Sequence, residues 1–185
     1  MELYLIRHTA PAVVKGVCYG QADVPLAETA ERDIQIALAP LPKFDLVYSS
    51  PAQRCLRLAR ALAQRDECPL TLAPELQELH FGDWEQLPWA RIPREHSDPW
   101  AADTWNRAPP GGETEQALWT RVATWFGTAQ SLSVPRCAVV AHGGSLRVLR
   151  CLLLGLAIMG CAVLLLIQGG PRERPSGKPA LWFFG

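Results

Sequence analysis

The run of residues 137–141 (CAVVA) contains no polar side chain and consists of small and β-branched residues. Such a run indicates a strand that is buried on both faces, because a half-buried strand would alternate apolar and polar residues. Both faces of a sheet are buried only when helices cover each of them. The rest of the chain must therefore supply those helices and the neighbouring strands.

Apolar runs at residues 2–6 and 44–48 predict two more strands, and residues 69–73 could form another. Weaker strand patterns follow at residues 162–167 and 180–184. These runs alternate with segments of helical periodicity. The alternation predicts an α/β fold of three layers, in which a mostly parallel central sheet carries helices on both faces.

The helices are predicted from apolar spacing and from residues that favour helix starts. A helix is expected after the second strand, with Ser50 as its N-cap and Pro51 at its first position. Its buried face is predicted from the spacing i, i+3, i+4, i+7 of Cys55, Leu58, Ala59 and Leu62. Two more helices are predicted, one from near Thr114 and one over residues 145–154.

Length and composition favour a single domain over residues 1–185, since 49% hydrophobic residues can build one core but 185 residues rarely make two. Residues 84–110 are dense in Trp, Pro and charge, which predicts an excursion or lid at the sheet edge. Lysine plus arginine equals aspartate plus glutamate, at 18 each. No net field attracts nucleic acid, so nucleic acid is not an expected partner, and a monomer or homodimer is expected.

The six cysteines form no CxxC pair, which favours reduced thiols in a cytoplasmic protein. The N-terminal residues lack the features of a signal peptide. Residues 151–167 are all apolar or glycine, but the stretch is short for a membrane span and is interrupted by Gly155 and Gly160. We interpret it as a buried helix end followed by a buried strand, and expect no membrane association.

Basic and imidazole side chains follow three of the predicted strands. Arg7 and His8 end the first strand, His142 ends the buried strand, and Arg54 follows the second. Because the C-terminal ends of parallel strands meet at one edge, these side chains should converge on one crevice. Arginine forks suit the oxygens of a phosphate dianion, and Gly143 lets the backbone approach those oxygens closely.

The same arrangement suits a histidine nucleophile. Arg7 and Arg54 disfavour the imidazolium form and so keep His8 neutral. His142 would contact the phosphate from the opposite side. The arginines would neutralise the charge of the phosphoryl group, so neither a metal nor another cofactor is expected.

Five segments together resemble the histidine phosphatase superfamily, which is also called phosphoglycerate-mutase-like. They are LIRH (5–8), SSPAQR (49–54), ELHFGDWE (78–85), GGET (111–114) and AHGG (141–144), and the resemblance covers residues 2 to about 156. Within the superfamily, residues 16–26 are most similar to the alpha-ribazole phosphatase branch. The resemblance also implies the phosphoglycerate-mutase-like form of the α/β fold.

The resemblance implies a role for each matching residue. His8 is similar to the phosphorylated histidine, and His142 to the second histidine of the pocket. Glu78 matches the carboxylate that acts as general acid and then as general base. The phosphate-binding positions are matched by Arg7, Arg54, Tyr19, Gly20, Gln21, His142 and Gly143.

The implied substrate is a small phosphate ester, namely alpha-ribazole 5'-phosphate or its cobamide-linked form, in assembly of the cobalamin nucleotide loop. Two alternatives stay open: a broad-specificity phosphatase with the same catalytic residues, and a catalytically inactive binding protein on the same fold. Thr9-Ala10 replaces the usual Gly-Glu, and Val13 or Val14 lies where a polar residue is expected, which weakens one predicted phosphate contact. Gln86 stands where glycine often follows Trp-Glu.

Two further features are ambiguous in the sequence. Glu113 lies near a predicted helix start and could either serve the helix or reach the site. The tryptophans that follow Glu78 are ordinarily packing residues, but we hypothesise that one or more of them stacks on an aromatic base of the substrate. They are Trp84, Trp89, Trp100 and Trp105.

Overall fold

In the part of the chain that the structure describes, the parallel sheet contains five strands in the order β3-β2-β4-β1-β5. The computed structural model describes residues 1–130 and 134–155, together with the backbone of residues 181–184. The strands are β1 (Glu2–Arg7), β2 (Leu46–Ser49), β3 (Leu70–Leu72), β4 (Arg136–Ala141) and β5 (Leu181–Phe184). The strand predicted at residues 162–167 lies outside the described residues.

Five α-helices and three short 3₁₀ helices join these strands in the described residues. The α-helices are α1 (Ala30–Leu38), α2 (Gln53–Asp66), α3 (Arg94–Ala102), α4 (Glu115–Ala129) and α5 (Gly143–Leu154). The 3₁₀ turns are Pro74–Leu76, Gly82–Trp84 and Trp89–Arg91. Among the described residues, no helix combines the length and the apolar character that crossing a bilayer requires.

Alternate residues of the strands point to two separate cores. Leu3 and Leu5 of β1 pack with the buried faces of α4 and α5, whereas Tyr4 and Ile6 pack with those of α1 and α2. The central strand β4 is divided in the same way. The predicted three-layer fold with helices on both faces of a parallel sheet is therefore confirmed.

Two helix starts differ from their predicted positions. Helix α2 begins at Gln53 rather than Pro51, and its N-cap is Ala52 rather than Ser50. The backbone amide of Gln53 donates to the carboxylate of Asp23 (3.0 Å), so a distant loop supplies the cap. Helix α5 begins at residue 143, two residues before the predicted start, because the two glycines are already helical.

One further element was not predicted from the sequence, and one expectation needs correction. Helix α3 lies within residues 84–110, where the sequence shows no clear periodicity; Pro99 inside it obscures the pattern. Cys18, Cys55, Cys68 and Cys137 are free thiols, but Cys151 is disulfide-bonded, so the expectation of reduced cysteines is wrong at that position.

Candidate active site

The two histidines at the strand ends face each other. Strands β1 and β4 are neighbours in a register that pairs Arg7 with Ala141, so the residues that follow them leave the sheet side by side. The backbone amide of His8 donates to the carbonyl of Ala141 (3.1 Å). The imidazole rings of His8 and His142 have their centroids 5.2 Å apart and are tilted by 60°. The structure therefore brings together the two imidazoles that the sequence predicts in one crevice.

The hydrogen bond of His8 fixes its tautomer. Its Nδ1 atom lies 2.7 Å from the carbonyl oxygen of Thr9, and a carbonyl only accepts, so Nδ1 carries the proton. Burial lowers the pKa of His8 to about 4, assisted by the positive charges of Arg54 and Arg7 and opposed by the Thr9 hydrogen bond. The ring is then neutral at pH 7, with a lone pair on Nε2 as its nucleophilic position.

His142 is held by protein groups at both ring nitrogens. Nε of Arg54 donates to its Nδ1 (3.3 Å), so in the neutral ring Nε2 carries the proton and donates to Oγ of Ser50 (2.8 Å). Burial, together with the neighbouring His8, Arg54, Arg121 and Arg7, lowers the pKa of His142 to about 2. Its direct contact with a phosphate stays a prediction.

Arg54 is a fully buried guanidinium whose three nitrogens all have protein partners. Besides His142, it donates to the carbonyl oxygens of Ala22 (2.8 Å) and Gly20 (2.6 Å). Its guanidinium also lies 5.2 Å from the ring centroid of Tyr19. A guanidinium has five N–H groups, so one N–H remains on each terminal nitrogen beyond these three bonds.

Glu85 organises the loop of residues 19–22, a role that was not predicted from the sequence. Its carboxylate accepts from the backbone amides of Gln21 (2.9 Å), Ala22 (2.6 Å) and Phe81 (3.0 Å). Gly20 has a φ of 38°, and a Cβ there would collide with the same carboxylate. Glu85 therefore fixes the loop whose carbonyls hold Arg54.

Glu78 is anchored beside the start of α5. Its carboxylate accepts from the amide of Leu79 (2.9 Å), and both carboxylate oxygens lie 3.1 Å from the amide nitrogen of Gly144. A Cβ on Gly144 would collide with this carboxylate, so glycine is required for the contact. An ideal Cβ on Gly143 would lie 3.8 Å from both Glu78 Oε2 and Arg7 Cζ, which places the acid and this arginine in the same pocket.

The other predicted pocket residues fall at different depths. The side chain of Gln21 donates through Nε2 to the backbone carbonyl of Glu78 (2.9 Å), so it supports the acid's backbone. Arg7 is half-buried. Thr9, which replaces the family's glycine, has a buried Oγ1 atom with no hydrogen-bond partner among the described residues. Val14, at a position where the family has a polar residue, is 78% exposed. Its apolar side chain therefore does not supply the polar contact that was expected there.

Sequence reasoning missed Ser50 as a partner of the second histidine. Ser50 is fully buried at the end of β2, and besides its contact with His142 its Oγ accepts from the amide of Ala52 (3.4 Å). The thiol of Cys55 lies 3.4 Å from Nε2 of the same histidine, so β2 and α2 enclose this ring. A serine directly after a buried strand was the available signal.

Glu113 forms an ion pair with Arg121 of α4 (2.6 Å) and also accepts from the backbone amide of His80 (3.0 Å). The sequence left open whether Glu113 serves the helix or reaches the site. Its carboxylate is engaged with protein groups, which favours a structural role. Among the described residues, no group of three or more His, Cys, Asp or Glu side chains is arranged to hold a metal ion.

The tryptophans separate into two groups. Trp84 is buried and packs edge-on against Trp100 (5.4 Å between centroids), and Trp89 stacks on Trp100 (6.0 Å, 20°). Phe81 completes this aromatic cluster. Trp105 instead packs against Trp119 of α4 (6.2 Å). Trp89 is the cluster member on the surface, with 38% exposure.

A parallel sheet whose strand ends present two neutral imidazoles and a buried guanidinium suits phosphoryl transfer. The chain belongs to the histidine phosphatase superfamily (branch 1), whose family model matches residues 3–162. It is 32% identical to the adenosylcobalamin/alpha-ribazole phosphatase of Salmonella typhimurium over 157 residues, which are 80% of this chain and 77% of that protein.

Two further comparisons agree with this assignment. The adenosylcobalamin/alpha-ribazole phosphatase of Escherichia coli K12 is 31% identical over 163 residues, which cover 84% of this chain and 80% of that protein. The crystal structure of the alpha-ribazole phosphatase from Shigella flexneri superposes with a TM-score of 0.79 at 29% identity, and covers 87% of this chain and 83% of that one.

Proposed function

We propose that this phosphatase hydrolyses alpha-ribazole 5'-phosphate, or the corresponding cobamide-linked phosphate, through a phosphohistidine at His8. The observation that carries the proposal is the tautomer of His8, which leaves the lone pair on Nε2 of a ring whose centroid lies 5.2 Å from that of the second imidazole. The substrate class is supported by relatives that are named for alpha-ribazole.

In the first step, Nε2 of His8 attacks phosphorus and the bond between phosphorus and the ester oxygen breaks. Arg54 and Arg7 stabilise the charge on the equatorial oxygens. Glu78 in its protonated form gives its proton to the departing alkoxide. The products are the free alcohol and phosphorylated His8, with Glu78 now ionised.

In the second step, Glu78 takes a proton from a water molecule, whose oxygen attacks phosphorus from the side opposite His8. The phosphorus–nitrogen bond breaks and returns the electron pair to Nε2. Orthophosphate leaves, and Glu78 is protonated again for the next cycle. Atoms and charge balance over the two steps without any further reactant.

The first test is His8→Ala, assayed on a panel of phosphate monoesters that includes alpha-ribazole 5'-phosphate, with and without chelator. Turnover and acid-labile phosphoenzyme should both fall below detection while the fold is retained, because His8 follows β1 and belongs to neither apolar core. His96→Ala, at an exposed histidine far along the chain, is the control and should keep full activity. Substantial turnover by His8→Ala would exclude the phosphohistidine route.

A broad-specificity phosphatase uses the same residues, and the panel distinguishes it by comparable kcat/KM values across unrelated esters. An inactive binding protein on this fold would show no turnover on any ester. We further propose a single domain in which residues 84–110 form a lid, located in the cytoplasm and active as a monomer or homodimer.

A further inference from the structure

Arg121 of α4 reaches the segment that leads into Glu78. Its NH1 atom donates to the backbone carbonyls of Glu75 and Gln77 (2.9 Å to Gln77), and its NH2 atom donates to the carbonyl of Glu78 (2.9 Å). The side chain is about one fifth exposed, so these bonds are largely shielded from water. One guanidinium therefore binds three carbonyl oxygens immediately before and at the candidate acid.

Glu113 completes the arrangement from the other side. Its two carboxylate oxygens accept from Nε (3.2 Å) and NH2 (2.6 Å) of Arg121, and one of them also accepts from the amide of His80 (3.0 Å). The pair thus holds the backbone on both sides of Glu78. Residues 77–80 belong to no helix or strand, so no ladder of backbone hydrogen bonds fixes this segment.

We propose that the Arg121–Glu113 pair is a positioning clamp that sets the distance from the Glu78 carboxylate to the leaving oxygen of the substrate. This inference rests on the proposed role of Glu78 as general acid. Arg121 contacts the backbone of the acid rather than the reacting atoms, so it is a positioning residue and not a catalytic one.

The clamp makes a specific prediction about leaving groups. Proton donation matters for an alkoxide, which is a strong base, and matters little for p-nitrophenolate, which is a weak one. A shift of the acid by about 1 Å can cost roughly 100-fold in rate. Loosening the clamp should therefore slow alkyl phosphates by up to about 100-fold and p-nitrophenyl phosphate by only a few-fold.

Arg65 provides a matched control within the same chain. Its guanidinium donates to the carbonyls of Leu38, Leu41 and Pro42 and forms a two-point ion pair with the carboxylate of Asp66. The chemistry equals that of Arg121, but these partners are the last residues of α1 and α2 and the segment that follows α1. Arg65→Met removes the same kinds of bonds at a distance from the pocket.

The experiment compares Arg121→Met, Arg121→Lys, Glu113→Gln and Arg65→Met with the wild type. The readout is kcat/KM for one alkyl phosphate and for p-nitrophenyl phosphate, because this ratio reports the steps up to phosphorylation of His8. Melting temperature is measured for every variant. Arg121→Met and Glu113→Gln should lose activity selectively on the alkyl ester, with partial recovery in Arg121→Lys, whereas Arg65→Met should lower only the melting temperature.

Equal losses on both esters in Arg121→Met and Glu113→Gln would overturn the clamp. If Arg121→Met does not fold, the milder variants Arg121→Lys and Glu113→Gln test the clamp by the same comparison of kcat/KM for the two esters. Glu78→Gln distinguishes the proposed role of Glu78 as general acid from the proposed role of the clamp. A selective loss in Glu78→Gln with uniform losses in the clamp variants refutes the clamp alone, whereas a uniform loss in Glu78→Gln refutes the acid role and the clamp together.

Discussion

Individual residues of the pocket differ in how far the sequence could predict them. His8, His142 and Arg54 follow predicted strands, and the rule that parallel strands end at one edge was sufficient to bring them together. Glu85 and Arg121 gave no such signal, because each binds backbone groups that lie far away along the chain. A bond from a side chain to a backbone amide or carbonyl depends on tertiary placement, which no local pattern encodes.

Gln86 is an exposed residue with a left-handed backbone, at the position where the family often has glycine. Its φ is 66°, and its amide donates to the carbonyl of Cys18 (2.6 Å), so the turn is fixed by this bond. Left-handed geometry costs a side chain with a Cβ about 1 kcal/mol more than glycine. Gln86→Gly should therefore raise the free energy of unfolding by about 1 kcal/mol, as measured by urea denaturation.

The matched comparison for this turn is Gln86→Ala, which keeps the Cβ and should leave stability unchanged within about 0.5 kcal/mol. A Gln86→Gly protein that is no more stable than Gln86→Ala would show that the turn carries no strain.

At the scale of elements, the unbroken apolar run at residues 137–141 predicted the buried strand, and the spacing of apolar residues predicted the buried face of α2. The predicted apolar residues of α2 are all fully buried, and α4 starts where expected, with Oγ1 of Thr114 accepting from the amide of Ala117 (3.1 Å). Element starts that depend on a partner elsewhere were missed, as at Gln53, whose amide is capped by Asp23. Helix α3 was missed because Pro99 interrupts its pattern.

The aromatic cluster of Phe81, Trp84, Trp89 and Trp100 sharpens the stacking hypothesis. Trp84 is buried within it, and a Cβ on Gly20 would collide with Phe81, so the cluster adjoins the loop of residues 19–22. Trp89 is its exposed member and is therefore the ring available to a substrate base. Trp89→Ala should raise KM for alpha-ribazole 5'-phosphate about 10-fold, since one stacked base contributes about 1–3 kcal/mol.

The matching measurement is KM for a simple alkyl phosphate, which has no ring to stack and should change less than about 2-fold, since the substitution removes no contact that it makes. Trp105→Ala is the control variant, because Trp105 packs against Trp119 and not in the cluster. Equal changes in KM for both esters in Trp89→Ala would exclude stacking at this ring.

For the whole molecule, two buried neutral imidazoles predict loss of stability in mild acid. The pKa of His8 is lowered from 6.5 to about 4 by burial, so between these pH values the unfolded chain binds more protons than the folded one. The free energy of unfolding should therefore fall as the pH is lowered from 6.5 to 4. His8 alone would account for a loss on the order of 3 kcal/mol.

Urea denaturation of the wild type and His8→Asn at several pH values between 7 and 4 measures this effect. The stability of the wild type should decline more steeply with falling pH than that of His8→Asn, whose side chain does not titrate. His96→Asn removes an exposed histidine and serves as the reference. If the stabilities of the wild type and His8→Asn depend on pH in the same way, His8 has the same pKa in the folded and unfolded states, which would contradict the prediction.

The guanidinium of Arg54 is immobilised before any substrate arrives, since His142 and the carbonyls of Gly20 and Ala22 hold it on three sides. In the proposed mechanism, an ester that enters the pocket meets a cation that loses little conformational freedom on contact. Orthophosphate, the product, meets the same waiting cation and the same low cost of association. If Arg54 binds the phosphoryl group as proposed, the rigidity that favours capture also slows escape, and we expect release of orthophosphate to limit turnover.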